Sequence, residues 1–242
     1  MINNISGILL LDKPLGLTSF KLIFKIKKIL NLKKIGHCGT LDPAATGLLI
    51  SVLGKATKLQ NKFMLKDKIY SSSFLLGTTT DTDDLYGNII SKKHVPNLTV
   101  KRMQIIINNI FKGEIFQIPP IYSALKYHGK KFYDLARKNI SFKRKERKIN
   151  IKEFKILSYD DIFKIVKVRI KCSSGTYIRS IARDFGNYIG CGATIKKLKR
   201  EKIGNFNIED ALEVKNLDNV ELIKNKIIDY DKIEKCLKLK NL

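Results

Sequence analysis

Residues 162–172 alternate with a period of two. Val166, Val168, Ile170 and Cys172 share one face, and Ile165, Lys167, Arg169 and Lys171 share the other. Successive side chains of a strand point to opposite sides of a sheet, so this is a half-buried strand, and it needs partner strands and a covering layer. After the turn Ser173-Ser174-Gly175, apolar residues return at helical spacing: Ile178, Ile181, Ala182, Phe185 and Ile189. Strand and helix signals are mixed in this way along the whole chain, without the regular 30-residue rhythm of βαβ units. The expectation is an α+β fold on a mixed or antiparallel sheet.

Ile8 to Leu11 predicts a short strand, closed by the turn-forming Asp12-Lys13-Pro14-Leu15-Gly16. Thr18 or Ser19 can cap a helix whose apolar stripe is Leu22, Ile23, Ile26, Ile29 and Leu30, with Lys21, Lys25, Lys27 and Lys28 on the other face. Residues 68–77 predict a strand with Tyr70, Phe74 and Leu76 on one side. A polar, turn-rich stretch follows. Residues 98–111 predict a helix, and Gln117-Ile118-Pro119-Pro120 an extended turn. Lys126 to Lys152 is densely basic, with a helix-like segment at 131–138 but little core pattern, which suggests a surface insertion. Beyond Lys202 the expectation is short, peripheral helices.

At 242 residues, 44% hydrophobic and 29% charged, the chain can bury a substantial core. The formal net charge of +25 would attract a polyanion, most obviously nucleic acid. A bland reading competes with this one. Only eight of the 47 basic residues are Arg, and the heavy use of Ile, Asn and Lys suits a compositional drift. Charge alone names no partner. The four cysteines (Cys38, Cys172, Cys191, Cys236) form no C-x-x-C pair, which suits free thiols in a reducing compartment. No run approaches the roughly 20 apolar residues of a membrane span, so the expected location is the cytoplasm.

Gly36-His37-Cys38-Gly39-Thr40-Leu41-Asp42-Pro43-Ala44-Ala45-Thr46-Gly47 is the densest cluster of chemistry-bearing residues. Its glycines allow tight backbone geometry, and Pro43 holds Asp42 extended. Asp42 fits either a catalytic carboxylate or an ordinary Asp-Pro turn. His37 has no second ligand at metal spacing. Arg179 lies at a helix start, where a positive charge opposes the dipole. It therefore either faces an anion or is simply solvent-exposed. The phosphate-binding loop, the dinucleotide fingerprint and Gly-x-Ser-x-Gly are absent, which weakens nucleotide hydrolysis, dehydrogenase and serine hydrolase readings.

The segment G-H-C-G-T-L-D-P-A-A-T-G resembles the signature of the TruB family of tRNA pseudouridine synthases. Four further blocks agree in order: G-I-L-L-L-D-K-P-L-G-L-T-S at 7–19, K-I-Y at 68–70, I-P-P-I-Y-S-A-L-K-Y-H-G-K at 118–130 and C-S-S-G-T-Y-I-R-S at 172–180. The resemblance spans about residues 5–215. It implies the pseudouridine synthase fold: a mixed, mainly antiparallel sheet with flanking helices and a basic inserted thumb. The implied organisation is a catalytic domain at 1–205, its thumb at about 124–152, and a short helical tail at 206–242 in place of a full accessory RNA-binding domain of the PUA type.

The implied reaction isomerises uridine 55 in the tRNA T-loop. C1′–N1 is cleaved, the base turns, C1′ rejoins through C5, and the C5 proton leaves. No cofactor and no metal are implied, and neither is a membrane or an obligate protein partner; a monomer acting on the T-arm is expected. By position, Asp42 corresponds to the catalytic aspartate, either a nucleophile or the base that takes a proton from C2′. Tyr70 corresponds to the tyrosine that packs on the base, and Arg179 to the arginine paired with the catalytic carboxylate. His37 corresponds to the histidine that holds the flipped RNA. Lys13, Lys58, Asp84 and Leu198 fall at supporting positions. Cys38 stands where threonine is frequent, with little effect expected. A tRNA-binding chaperone without chemistry is the competing class, and the retained Asp42, Tyr70 and Arg179 argue against it.

Overall fold

The computed structural model describes residues 5–138 and 140–238, without the side chains of residues 236–238. The thiol of Cys236 and the last four residues of the expected tail lie outside the described residues. The chain begins with β1 (Gly7–Lys13), α1 (Ser19–Ile29), β2 (Ile35–His37), β3 (Ala45–Leu53) and α2 (Gln60–Met64). β4 (Lys68–Leu76), β5 (Thr78–Thr80), β6 (Ile89–Lys92), α3 (Val100–Ile106) and β7 (Gly113–Gln117) follow. Next come β8 (Lys126–Tyr127), β9 (Lys130–Lys131), α4 (Phe132–Arg137), β10 (Arg147–Asp160), β11 (Ile165–Cys172) and α5 (Ile178–Ile189). The chain closes with β12 (Ala193–Ile203), β13 (Phe206–Asn207), β14 (Leu212–Glu213), α6 (Val220–Asn225), β15 (Ile228–Asp229) and α7 (Tyr230–Lys238). Two compact units result: Met1–Tyr70 with Leu198–Leu242, and Ser71–Lys197.

In the first unit β1 pairs antiparallel with β3, Lys13 opposite Gly47, and β12 joins β3 in parallel, Leu198 opposite Ala45. Both strands carry nearly unbroken apolar runs because both faces are covered. Ile8 and Leu10 pack with Leu48, Ile50, Val52 and Phe63 on one side. Leu9 and Leu11 pack with Leu49, with Leu22 and Ile26 of α1 and with its C-cap Leu30 on the other. α1 starts where expected: the Thr18 side chain accepts from the Lys21 amide, an N-cap that supplies one orphan donor with a partner.

The tail contains short helices as expected, α6 and α7, but it is not peripheral, and short strands accompany them. β14 and β15 add to the outer edge of β1, with Leu11 opposite Leu212 and Gly7 opposite Asp229. Leu212, Leu217 and Ile223 are buried against β1 and α1. Strands of two residues show no readable period, and their lysine-rich surroundings disguised them. What they accomplish is the covering of an apolar edge that would otherwise template aggregation.

In the second unit the strand order is β4-β11-β10-β7. β4 alternates as expected, with Lys68, Tyr70, Ser72, Phe74 and Leu76 buried, and Val166 to Cys172 of β11 do the same. Phe74, Phe111, Phe154 and Phe185 of α5 meet edge to face or tilted, with centroids 5.9–6.3 Å apart, a geometry that adds to area burial. The polar stretch after β4 is partly a hairpin, since β-branched Thr78–Thr80 pair with β6. The helix expected over 98–111 changes to π-helical winding at Ile107–Phe111. The basic stretch also divides differently. From Arg147 the chain is β10, paired with β7 at Gln117, and Ile149 and Ile151 point inward between exposed basic residues. Lysines on the outward positions of a strand hid its alternation. The inserted lobe therefore covers about 118–146.

Leu217 has no exposed surface. Leu217→Ala should lower the unfolding free energy by about 2–5 kcal/mol in urea denaturation. A loss of about 0.5 kcal/mol or less would return this segment to the periphery.

Candidate active site

The irregular stretch expected over 36–47 is shorter in the structure: β2 takes its first residues and β3 its last, leaving 38–44 as the loop that presents Asp42. Three anchors fix this loop. From α1, Ser19 Oγ accepts from the Leu41 amide at 2.9 Å and donates to the Leu41 carbonyl at 3.0 Å. From the β1–α1 turn, the Gly16 amide donates to the Pro43 carbonyl at 2.9 Å. From β12, Arg200 donates through Nη2 to the Gly39 carbonyl at 2.9 Å and through Nε to the Leu48 carbonyl at 2.8 Å. β12 lies so close to β3 that a Cβ on Gly47 (φ +107°) would fall 2.3 Å from the Arg200 carbonyl oxygen. Only glycine fits there.

Arg200 was missed by sequence reasoning. It is almost fully buried, and the one signal that could have found it is its identity. Where lysine is the default cation, an arginine marks a site that needs a planar fork.

Around the loop the structure gathers Lys13, His37, Asp42 and Leu198. Lys13, at the end of β1, has no exposed surface and donates to the carbonyls of Pro14 and Leu17 at 2.9 and 2.7 Å. Burial is the main cause that brings its pKa down to about 8. The Asp42 carboxylate opposes that fall, and Arg200 adds to it. Lys13 is thus still mostly protonated at neutral pH, beside Asp42. His37 closes β2, and burial and then Arg200 hold its imidazole below the usual histidine range, neutral at physiological pH. Leu198 pairs with Ala45 and accepts from Thr46 Oγ1 at 3.4 Å. Tyr70 is buried on β4. Lys58 is exposed on the 3-10 turn Gly54–Leu59 and is not drawn into this group. Cys38 is a buried thiol pushed up to about 12, too poor a thiolate source to react.

The second unit brings Asp84 and Arg179 together. Arg179 is buried, which removes the solvent-exposed reading, and its anion within the unit is Asp84, with Nε 3.9 Å from Oδ2. Its other nitrogens donate to the carbonyls of Thr82 and Tyr122 at 2.9 and 2.8 Å. Asp84 is held in turn by Thr82 Oγ1 at 2.8 Å and the Tyr86 amide at 3.0 Å. One turn along α5, Arg183 spans Asp83 (3.1 Å), Asp184 (2.9 Å) and the Ile118 carbonyl (2.9 Å), where the inserted lobe leaves the sheet.

No helix among the described residues is long and apolar enough to cross a membrane. Among those residues no cluster of His, Cys, Asp or Glu is placed to hold a metal ion.

Residues 27–178 match the family model of the TruB family pseudouridylate synthase (N terminal domain). Residues 179–238 match that of the tRNA pseudouridylate synthase B C-terminal domain. The chain is 59% identical over 226 residues to the tRNA pseudouridine synthase B of Endomicrobium trichonymphae, covering 93% of this chain and 97% of that protein. It is 46% identical to the protein of that name from Clostridium acetobutylicum, covering 93% of this chain and 76% of the relative. Among solved structures it resembles a chain of a Cbf5-Nop10-Gar1 complex, with a TM-score of 0.72 and 28% identity over 93% of this chain and 60% of that one.

Two predictions follow from the loop and its cations. Arg200→Lys keeps the charge but loses the fork, so the protein should be destabilised by about 2 kcal/mol. Amide hydrogen exchange at 39–47 should speed up, and unchanged exchange there would show that other contacts hold the loop. Lys13 has a folded pKa of about 8 against 10.5 for an ordinary lysine. Between those values the unfolded chain binds more protons, so the Lys13 contribution to stability rises with pH across that window. Unfolding titrations at pH 7.5 and 10 should show this rise in the wild type and lose it in Lys13→Met.

Proposed function

We propose, on the premise that the chain belongs to the TruB family of pseudouridylate synthases, that it isomerises a T-loop uridine of tRNA, uridine 55, to pseudouridine. The observation that carries the reading is the loop 38–44, which presents Asp42 near enough to the buried Lys13 for the two charges to interact. A carboxylate attacking C1′, or removing a proton from C2′, acts in its ionised form. The reaction balances within the substrate: C1′–N1 breaks, C1′–C5 forms, C5 loses a proton and N1 gains one. It demands no redox step or group donor.

The remaining roles follow from the family assignment. Tyr70 packs on the base once it leaves its stack, recovering part of an unstacking cost of a few kcal/mol. His37, uncharged, steadies the RNA by stacking and hydrogen bonding. Arg179, oriented by Asp84, is the guanidinium assigned to the catalytic carboxylate. Lys58 meets phosphate, and Leu198 lines the base pocket. The inserted lobe, with Lys143, Arg144 and Lys145, closes on the T-arm. The enzyme acts as a cytoplasmic monomer without a protein partner.

The test is chemical mapping of pseudouridine in an unmodified tRNA transcript with wild type and Asp42→Asn. Wild type should modify one T-loop uridine, and Asp42→Asn should lose at least 10³-fold in rate while retaining tRNA binding, as removal of a catalytic carboxylate requires. Equal product from both proteins would remove Asp42 from the chemistry. Assisted tRNA refolding without product from either would favour a chaperone.

A further inference from the structure

We infer that the outer face of α1 is an RNA-docking strip that holds unstacked bases of the substrate next to the reacting uridine. The inference rests on the proposed RNA-modifying activity and extends its site. Phe20 and Phe24 stand one helical turn apart, 66% and 43% exposed, with rings stacked at 5.9 Å and an interplanar angle of 15°. Lys28, one turn further, places Nζ 5.1 Å from the Phe24 ring centre. Residues four apart on a helix share a face, so the three side chains form one continuous stripe, with Lys21 and Lys27 beside it. Leu15, 58% exposed, lies just ahead of it in the β1–α1 turn.

The position of the stripe links it to the reaction. It begins one residue after Ser19, whose hydroxyl clamps Leu41, and the turn carrying Leu15 donates from Gly16 to Pro43. Leu41 and Pro43 flank Asp42, so RNA that delivers a uridine to Asp42 arrives at the start of the stripe. The core gains nothing from these rings, because the inner face of α1 is already filled by Leu22, Ile23, Ile26 and Leu30.

The chemistry selects the occupant. α1 contains no acidic residue and four lysines, and among the described residues only Lys25 of the four lies within ion-pair range of a carboxylate, that of Asp218. Flat aromatic surfaces between cations suit nucleic acid, whose bases stack while phosphates meet ammonium groups. An apolar protein partner would gain nothing from the lysines.

The experiment compares wild type, Phe20→Ala/Phe24→Ala and Lys21→Gln/Lys28→Gln on an unmodified tRNA transcript. All four side chains are exposed, and thermal unfolding checks that the variants fold. The aromatic double variant should raise KM about tenfold or more, given the known size of base–aromatic stacking. Its single-turnover rate at saturating tRNA and its salt dependence should be unchanged. The lysine variant should flatten the salt dependence of binding, because fewer counterions are released. An unchanged KM in the aromatic variant, with wild type active, would overturn the inference while leaving the activity standing; an inactive wild type would overturn the activity instead. Loss of self-association or of anionic-vesicle binding in the aromatic variant, without a change in KM, would assign the strip to a second copy or to lipid and also overturn it.

Discussion

The Arg200 guanidinium is the interaction on which the first unit's site depends. Loop 38–44 lies between two paired strands without a ladder of its own, so its carbonyls must find partners elsewhere. Arg200 supplies one at Gly39, near the start of the loop, and also holds Leu48 in the strand that follows it, from more than 150 residues away in sequence. Ser19 and Gly16 tie the middle. The backbone around Asp42 is thus placed by contacts from three separate elements. The absence of a Cβ at Gly47 belongs to the same arrangement, because it lets β12 approach closely enough for the fork to reach.

The same arginine shapes the electrostatics. Lys13, Arg200 and Asp42 bring two cations and one anion into a largely dry environment. Burial and Arg200 together outweigh Asp42, and the lysine's pKa falls to about 8. The residual charge of the three groups is positive. Asp42 also sustains its neighbour's proton. Neutralising it would lower the Lys13 pKa further.

The α+β fold was legible wherever an element was long enough to show its period. The alternation at 166–172, the stripe at 178–189 and the capped helix after Thr18 all appear as expected. Elements of two or three residues, such as β2, β14 and β15, have no period to read, and tertiary pairing alone defines them. Strand β10 was concealed differently, by basic residues on its outward positions. Within the site, Asp42 stood out through its glycine-rich, proline-bounded loop, and the buried Arg179 through its conflict with the helix dipole. Ser19 and Arg200 were not visible, because their roles are contacts to backbone atoms that leave no spacing pattern.

The chain's basicity separates into two kinds of cation. Lysine is the background, which is why a net charge of +25 by itself said little. The eight arginines include Arg144, Arg179, Arg183 and Arg200, and each donates to a main-chain carbonyl. Three carbonyls lie at the root of the inserted lobe, at Ile118, Pro119 and Tyr122, and two lie at Gly39 in the Asp42 loop and Leu48 in the strand after it. A lysine could match the charge at these places but not the planar, multi-donor geometry. A surface lysine needs only its charge to raise the local potential for RNA. At these four arginines a fork holds the backbone. Arginine sets the geometry and lysine supplies the field, and that division makes the few arginines more informative than the many lysines.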